Sequence, residues 1–275
     1  MAERTLFIEL FQPFAQYRNP FTFYYAQTYP LPPKSTIIGM LQNALNDWYG
    51  VEHGLETWWN LKVSVHGGFE SVFWNYQQLI KAAKTGISLV RFRGKPTLWN
   101  QDRPLYGYPL TSQRSPVSQQ ELFNGWIYLL LKGEKCLLNE IKEALMHPRK
   151  VLSLGRSEDV VFIRKVKFVE GKEKRAKEVA FKIPTYVATP IEHLQKKEYP
   201  TYSIPIKVVF RNEERPVKHK AEINTNTFRD VEFKSVIYVG AWTFLKFKEK
   251  VTLEEYSIEG KTLKVVTNGS VSGWL

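Results

Sequence analysis

The first half of the chain switches between the periodicities of strands and helices. Thr5 to Phe11 alternates and is rich in β-forming side chains, which predicts a first strand. From Thr36 to Trp48, apolar residues recur at three- and four-residue steps and predict an amphipathic helix, which Gly50 and Gly54 end. Leu61 to Val65 alternates again, so a second strand follows this helix and runs into a pair of glycines.

The middle of the chain repeats the strand and helix signals. Trp126 to Lys132 predicts a buried strand, and Leu137 to Met146 predicts an amphipathic helix that a His-Pro pair ends. The strand after this helix is either Val151 to Leu154 or Val160 to Val169. The order strand, helix, strand, excursion, strand, helix, strand is ferredoxin-like, the α+β pattern that RNA-recognition domains share.

Between the second and third strands, Gly86 to Ser118 has neither periodicity and predicts an extended excursion outside the core. Cationic and aromatic side chains are interspersed along it, with Asp102 as its one acid. Cations neutralise phosphates and aromatic rings stack on unpaired bases, so the segment suits single-stranded RNA. An insertion ordered by a neighbouring subunit is an alternative that does not exclude RNA. The expected RNA contacts here are Arg91, Arg93, Trp99, Arg103, Tyr106, Tyr108 and Arg114.

After residue 160 the signals are almost all those of strands. We therefore predict a ferredoxin-like RNA-binding domain over residues 1–155, with a β-hairpin insertion at about 86–118, and a β-rich C-terminal domain over 156–275. Glu170 to Glu178 carries cations around a glycine and predicts a charged hairpin tip, which either is solvated or contacts RNA.

Composition points to an anionic partner. The 275 residues are 43% hydrophobic, which is enough for a substantial core, and their net charge is +12. The aromatic content of 14%, with eight Trp and fourteen Tyr, suits single-stranded nucleic acid or a protein–protein interface. No apolar run is long enough to span a membrane and the N-terminus lacks the pattern of a signal peptide, so we expect a cytoplasmic protein.

The residues that usually carry catalysis or bind metals form no recognisable set. Cys136 has no second cysteine for a disulfide or a thiolate zinc cluster, and we expect it to be buried in a helix. Motifs for nucleotide hydrolysis, dinucleotide binding and zinc proteolysis are absent from the sequence. Lys218-His219-Lys220 could supply a base and a cation for metal-free RNA cleavage, or be a basic surface patch. We expect no cofactor and no metal.

A proline-rich segment leads directly into the first predicted helix. Two prolines, ending at Pro33, prevent a helix before that point, and Ser35 or Thr36 can cap the helix that follows. First-turn amides that point outward beside Lys34 would form a phosphate site. An ordinary helix cap is the alternative.

A second motif, Leu152-Ser-Leu-Gly-Arg-Ser-Glu-Asp159, predicts a strand end, a glycine turn and an exposed arginine. Glycine lets the backbone turn tightly, and Arg156 could bind a phosphate or a base edge through its guanidinium. Arg156 could equally pair with Glu158 or Asp159 and hold the turn.

Together the two motifs resemble the conserved blocks of CRISPR-associated protein five, a Cascade subunit of the repeat-associated (RAMP) RNA-binding superfamily. The proline-rich segment, S-T-I-I-G-M-L and L-G-R-S-E-D occur in the family's order and approximate spacing, over about residues 4–160. The resemblance implies a subunit of a type I CRISPR surveillance complex that holds the five-prime handle of the guide RNA. It also implies contacts with the large subunit and the first backbone subunit, target DNA as a possible neighbour, and a thumb at the excursion.

The resemblance also bears on catalysis. One branch of this family processes its own guide RNA with a tyrosine just after the first helix start and a Lys-His pair ahead of the third core strand. Here Asn46 stands at the tyrosine position, and no Lys-His dipeptide precedes residue 218. We therefore expect a non-catalytic subunit. The alternatives are a metal-independent endoribonuclease that processes CRISPR repeat RNA and a related subunit of a type III complex.

Overall fold

The fold is sheet-rich with three α-helices in the described part of the chain. The computed structural model describes residues 3–22, 25–82, 91–92, 95–96, 112–196, 198–213, 215–217, 220–224, 227–269 and 271–275. The helices are α1 (Lys34–Leu45), α2 (Leu55–Asn60) and α3 (Lys135–Met146). The strands are β1 (Arg4–Ala15), β2 (Tyr25–Ala26), β3 (Lys62–Ala82), β4 (Arg91–Phe92), β5 (Lys95–Pro96), β6 (Ser112–Gly133), β7 (Phe162–Val169), β8 (Lys172–Phe181), β9 (Thr185–Val187), β10 (Thr201–Asn212), β11 (Arg215–Pro216), β12 (Thr227–Val239), β13 (Thr243–Ile258), β14 (Lys261–Asn268) and β15 (Val271–Ser272).

Two sheets contain all of these strands except β4 and β5, which pair only with each other. The larger sheet has the order β11-β10-β12-β9-β3-β6-β1-β7, and β2 joins it by parallel pairing with β6. The smaller sheet has the order β15-β14-β13-β8. Strands β3 and β6 are 21 and 22 residues long and form an antiparallel hairpin, paired from Lys62 opposite Lys132 to Ala82 opposite Ser112.

The predicted strands and helices of the first half are confirmed, with shifted ends. Helix α1 begins at Lys34 and ends at Leu45, ahead of the predicted Trp48, because Asn46 adopts a left-handed conformation with φ 60°. The strand predicted at 61–65 continues as β3 far beyond its glycine pair. Residues 112–118, predicted to lie in the excursion, belong to the paired part of β6.

The strand after α3 is the second of the two predicted possibilities. β7 pairs with β1 from Thr5 opposite Val169 to Phe11 opposite Phe162. Ser153, in the other candidate segment, makes only an isolated bridge to Val160. The helices α1 and α3 therefore occupy the connections from β1 to β3 and from β6 to β7, around the adjacent strands β3, β6, β1 and β7.

The main core lies between the larger sheet and the helices. Leu6, Ile8 and Leu10 of β1 pack in one cluster with Ile37 of α1 and Ile141 of α3. The alternate residues of β1 point to the opposite face, where Phe7 packs against the smaller sheet. The smaller sheet thus covers part of the larger sheet's second face.

The predicted domain boundary does not coincide with a break in packing. β7 follows residue 155 but pairs with β1, and Tyr186, Ile204 and Val236 belong to the same core cluster as β1. The division into 1–155 and 156–275 stays a prediction.

Cys136 lies on the surface, and several other predicted residues lie outside the described part of the chain. Cys136 lies in α3 as predicted but is exposed, so the prediction that it is buried is wrong, because α3 turns Leu137, Leu138 and Ile141 inward instead. None of the described helices is long and apolar enough to span a membrane. Arg91 and Arg114 lie in β4 and β6, and Lys220 lies in a short 3-10 turn. The predicted residues outside the described ones are Arg93, Trp99, Arg103, Tyr106, Tyr108, Lys218 and His219.

Candidate nucleic-acid interface

The two sequence motifs meet at one cleft. The start of α1 forms one wall and the glycine turn after α3 forms the other, around a cavity of about 300 Å³. We call this the motif cleft. Its lining consists of Ser35, Thr36, Gly39, Met40, Asn43, Ser153, Gly155 and Val208.

Helix α1 starts at the cleft without a side-chain cap. Pro33 occupies the N-cap position in an extended conformation, with φ −64° and ψ 156°. The amides of Thr36 and Ile37 donate to the Pro33 carbonyl at 3.1 and 3.2 Å. The prediction that Ser35 or Thr36 caps the helix is therefore wrong, because the helix begins at Lys34 and places both hydroxyls in its first turn. Both residues are half-buried and line the motif cleft instead.

Lys34 is turned into the protein. Its side chain is buried, with 6% of the residue exposed, and its Nζ donates to the main-chain oxygens of Trp59 at 2.7 Å and Leu275 at 3.1 Å. Burial, helped by the charges of Lys234 and Lys207, lowers the pKa of Lys34 to about 8. These carbonyls hold the ammonium in the interior, and the RNA contact at Lys34 stays a prediction.

The backbone conformation of the glycine turn favours glycine at position 155. Gly155 has φ +118°, and a Cβ there would lie 2.7 Å from Asp159 Oδ2 and 2.9 Å from the Gln16 carbonyl oxygen. Asp159 accepts hydrogen bonds from the amides of Gln16 at 3.0 Å and Arg156 at 2.8 Å. The side-chain amide of Gln12 donates hydrogen bonds to the main-chain carbonyls of Leu154 and Asp159. The turn is thereby attached to the end of β1.

Arg156 holds this turn in place. Its Nη2 lies 2.8 Å from Asp159 Oδ1, its Nη1 lies 2.8 Å from Glu121 Oε1, and its Nε lies 3.3 Å from Glu158 Oε1. Burial lowers the pKa of Arg156, but the hydrogen bonds to Asp159 and Glu121 outweigh burial and raise that pKa above its usual value. The sequence left two roles open for Arg156, an RNA contact or an ion pair that holds the turn, and these distances match the ion pair. Carboxylates accept from Nε, Nη1 and Nη2 of Arg156, and the RNA contact at this residue stays a prediction.

The family of this chain follows from a comparison with protein-family models. The family model described as CRISPR-associated protein (Cas_Cas5) matches residues 5–243. The chain belongs to this Cas5 family. The family predicted from the two motifs is thereby confirmed, although no curated protein matches the chain.

Several solved structures are similar to this Cas5-family chain. A Cas protein crystal structure is 22% identical over 57% of this chain and 58% of its own, with a TM-score of 0.34, so the match spans under two thirds of that protein. A chain of a CRISPR RNA-guided surveillance complex is 15% identical over 86% of this chain and 90% of its own, with a TM-score of 0.48. A CRISPR protein from Archaeoglobus fulgidus is 10% identical over 96% and 98% of the two chains, with a TM-score of 0.43.

The motif cleft offers hydrogen bonds without charge. Its lining side chains are hydroxyls, an amide and apolar groups, and none of them titrates near neutral pH. Among the described residues, no three His, Cys, Asp or Glu side chains are grouped as a metal site would need. Such a cleft can donate to phosphate oxygens and to a ribose hydroxyl, but its lining contains neither a general base nor an acid.

Sequence reasoning missed part of the cleft wall in this Cas5-family chain. Gly39, Asn43 and Ser153 line the cleft but were not predicted as site residues. Gly39 gave a signal, since a glycine inside a helix costs about 1 kcal/mol relative to alanine. Because glycine has no side chain, α1 leaves space for the cleft at this position.

Proposed function

We propose that this Cas5-family chain is a non-catalytic RNA-binding subunit of a type I CRISPR Cascade complex. In this role it holds the five-prime handle of the guide RNA and bridges the large and backbone subunits. The observation that carries the proposal is the motif cleft, where the two motifs of the family line one cavity although they are far apart in sequence.

The chemistry of the cleft suits an RNA backbone. The N-terminal end of a helix carries a partial positive charge and donates main-chain hydrogen bonds to phosphate. Ser35 and Thr36 add hydroxyl groups beside that end, and Asn43 adds an amide. The Arg156 network keeps the opposite wall rigid, so little freedom is lost when RNA binds.

The fold supports the remaining parts of the proposal. The order β7-β1-β6-β3, with α1 and α3 in the connections, supports a ferredoxin-like core. The long hairpin of β3 and β6 leads into the segment with Trp99, Tyr106 and Tyr108, which supports a thumb that reaches over the guide RNA. The net charge of +12 favours an anionic partner throughout.

Gly39 gives the sharpest test of the cleft. Among the described residues, no atom outside its own helix lies within 4 Å of the position that a Cβ would take, so a side chain can be added at Gly39, and leucine there would project into the cleft. Leucine is also the better helix former, by about 0.8 kcal/mol. We expect Gly39→Leu to keep or raise the melting temperature and to weaken binding of labelled repeat RNA about 10- to 100-fold, the value of one or two lost polar contacts.

The matched control is Asn139→Leu, which adds the same side chain at an exposed position of α3. It should leave RNA affinity unchanged. Equal affinity of Gly39→Leu and the unmodified protein would mean that the cleft does not hold RNA.

The absence of catalysis is a separate part of the proposal. It is supported by Asn46 at the position of the processing branch's tyrosine and by the uncharged lining of the cleft. Purified protein incubated with labelled repeat RNA, with and without divalent metal, should give no discrete product. A product that disappears in His219→Ala would establish the endoribonuclease alternative in its place.

A further inference from the structure

Three aromatic side chains form an exposed cluster on the larger sheet, away from the motif cleft. Phe11 on β1 pairs in register with Trp126 on β6 and with Phe162 on β7, and its ring centroid lies 5.2 and 6.2 Å from theirs. Residues directly opposite one another on neighbouring strands point to the same face. Trp126 is 40% exposed and Phe162 is 46% exposed. We call these three residues the aromatic cluster.

The cluster lies on the face opposite the helices. Along β1, Leu6, Ile8 and Leu10 point to the helical core, so Phe7 and Phe11 share the other face by alternation. The smaller sheet covers Phe7 but leaves Trp126 and Phe162 exposed. Rings on adjacent strands at the uncovered end of a sheet present flat surfaces of the kind on which single-stranded bases stack.

Cations accompany these rings. The Arg164 guanidinium carbon lies 5.4 Å from the Phe11 centroid and 5.9 Å from the Phe162 centroid. Phe162 and Arg164 also line a groove of about 840 Å³ at the edge strand β7, which extends to the last residues of α3. Arg149, Lys150 and Lys165 add three further cations to its lining. The rest of the lining is apolar, without an Asp or Glu. Lys165 also pairs with Glu259 and Lys150 donates to Asn46 Oδ1, so Arg149 and Arg164 are the cations to which we assign phosphate contacts.

The groove and the motif cleft are lined by neighbouring residues of one segment. Leu152 and Val160, which flank the glycine turn, line the groove, while Ser153 and Gly155 of the same turn line the cleft. A strand of RNA that passes the turn would therefore reach the groove next. Exposed aromatics also occur in protein interfaces, but an apolar groove whose lining charges are all positive matches a polyanion better.

We propose that the aromatic cluster and the adjoining groove form a second RNA site, which continues the path of the guide RNA beyond the motif cleft. Bases stack on Trp126 and Phe162, and the backbone phosphates pair with Arg164 and Arg149. The proposal rests on the proposed function, since its ligand is the same single-stranded RNA.

The test uses the full chain and fluorescently labelled repeat RNA. Loss of one stacked base should weaken binding about 5- to 100-fold in Trp126→Ala and in Phe162→Ala. Trp126→Phe keeps a ring and should retain most of the affinity. RNA carrying 5-iodouridine should form photo-crosslinks to peptides that contain residue 126 or 162.

Trp242→Ala is the matched control. Trp242 is 73% exposed and has the Lys182 ammonium 5.7 Å from its ring, but it lies in the turn between β12 and β13. Its replacement should leave RNA affinity unchanged. Thermal unfolding of each variant checks the fold, and Arg164→Gln replaces Trp126→Ala as the test if the latter unfolds.

The outcomes separate this proposal from the proposed function. Wild-type affinity in Phe162→Ala and Arg164→Gln, alongside weak binding in Gly39→Leu, would overturn the second site alone. If the unmodified protein binds no repeat RNA, both proposals fail. Variants that bind RNA normally but no longer copurify with other complex subunits would make the cluster a protein interface. If the variants lose affinity only for single-stranded DNA of the same sequence, the aromatic cluster is a site for target DNA and not for RNA.

Discussion

The guanidinium of Arg156 lies between the carboxylates of Asp159 and Glu121, each 2.8 Å from one of its nitrogens. Asp159 is 1% exposed, and its carboxylate accepts hydrogen bonds from this guanidinium and from the main-chain amides of Gln16 and Arg156. A buried carboxylate that loses its cation keeps its desolvation cost without the compensating attraction. At the scale of single residues, this arginine acts on the cleft through the turn that it holds.

We therefore predict that Arg156→Ala lowers the free energy of unfolding by about 2 kcal/mol or more, as measured by urea denaturation. The exposed pair of Lys174 and Glu255 provides the control, because Lys174→Ala should cost less than about 1 kcal/mol. RNA affinity per folded molecule should fall less in Arg156→Ala than in Gly39→Leu. Unchanged stability together with lost RNA binding would instead establish Arg156 as an RNA contact.

The sequence predicted where these residues lie in the fold, but it did not predict which groups they contact. The sequence placed Lys34, Ser35 and Thr36 at a helix start, and the structure confirms that position. Whether Lys34 faces solvent depends on Trp59 and Leu275, which meet it only through the tertiary fold. The role of Arg156 likewise depends on Glu121, on a strand that local sequence cannot place beside it.

At the scale of elements, one histidine ties α3 to the segment before α2. His53 Nδ1 lies 2.8 Å from Asp47 Oδ2, and its Nε2 lies 2.9 Å from Glu140 Oε2 on α3. Asp47 also accepts from the Trp58 indole at 2.7 Å. Burial alone lowers the pKa of His53, but the hydrogen bonds to Asp47 and Glu140 outweigh burial and raise that pKa above its usual value.

This bridge makes stability depend on pH. Because the pKa of His53 is higher in the folded than in the unfolded state, its stabilisation is complete below the unfolded value of about 6.5 and is lost as pH rises through the folded value. We predict that the free energy of unfolding of the unmodified protein exceeds that of His53→Gln most near pH 6, and that the gap narrows towards pH 8.5. His147→Gln, which makes the same substitution at an exposed position just after α3, is the control. A gap that is constant across this range would contradict the bridge.

Strands and helices with a clear hydrophobic period could be predicted from the sequence, but their lengths could not. The glycine pair after residue 65 reads as a strand end, yet β3 continues through it. Gly67 has φ +129°, and a Cβ there would lie 2.1 Å from the Trp126 carbonyl oxygen, so this glycine permits a close approach of β3 and β6. Only the partner strand distinguishes such a glycine from a terminating one.

At the scale of the whole molecule, the larger sheet unites residues from both predicted domains. β9 joins β12 to β3, and the core cluster combines β1 with Tyr186, Ile204 and Val236. Strand pairing between distant segments has no local sequence signal, which is why the β-rich character after residue 160 was predictable and its integration with the first half was not. The cleft and the aromatic cluster are consequently held by one continuous framework of strands.

The net charge of +12 gives the last prediction, which concerns how RNA affinity depends on salt. Each phosphate that a cation neutralises releases counterions and adds about 0.7 to the slope of log affinity against log salt for single strands. The lining of the motif cleft carries no cation, whereas Arg164 carries a full charge beside the aromatic cluster. In titrations with repeat RNA at several salt concentrations, Gly39→Leu should therefore lower affinity at every concentration and leave the slope unchanged. Arg164→Gln should reduce the slope by about 0.7. A slope near zero in the unmodified protein would show that charge does not drive its binding to RNA.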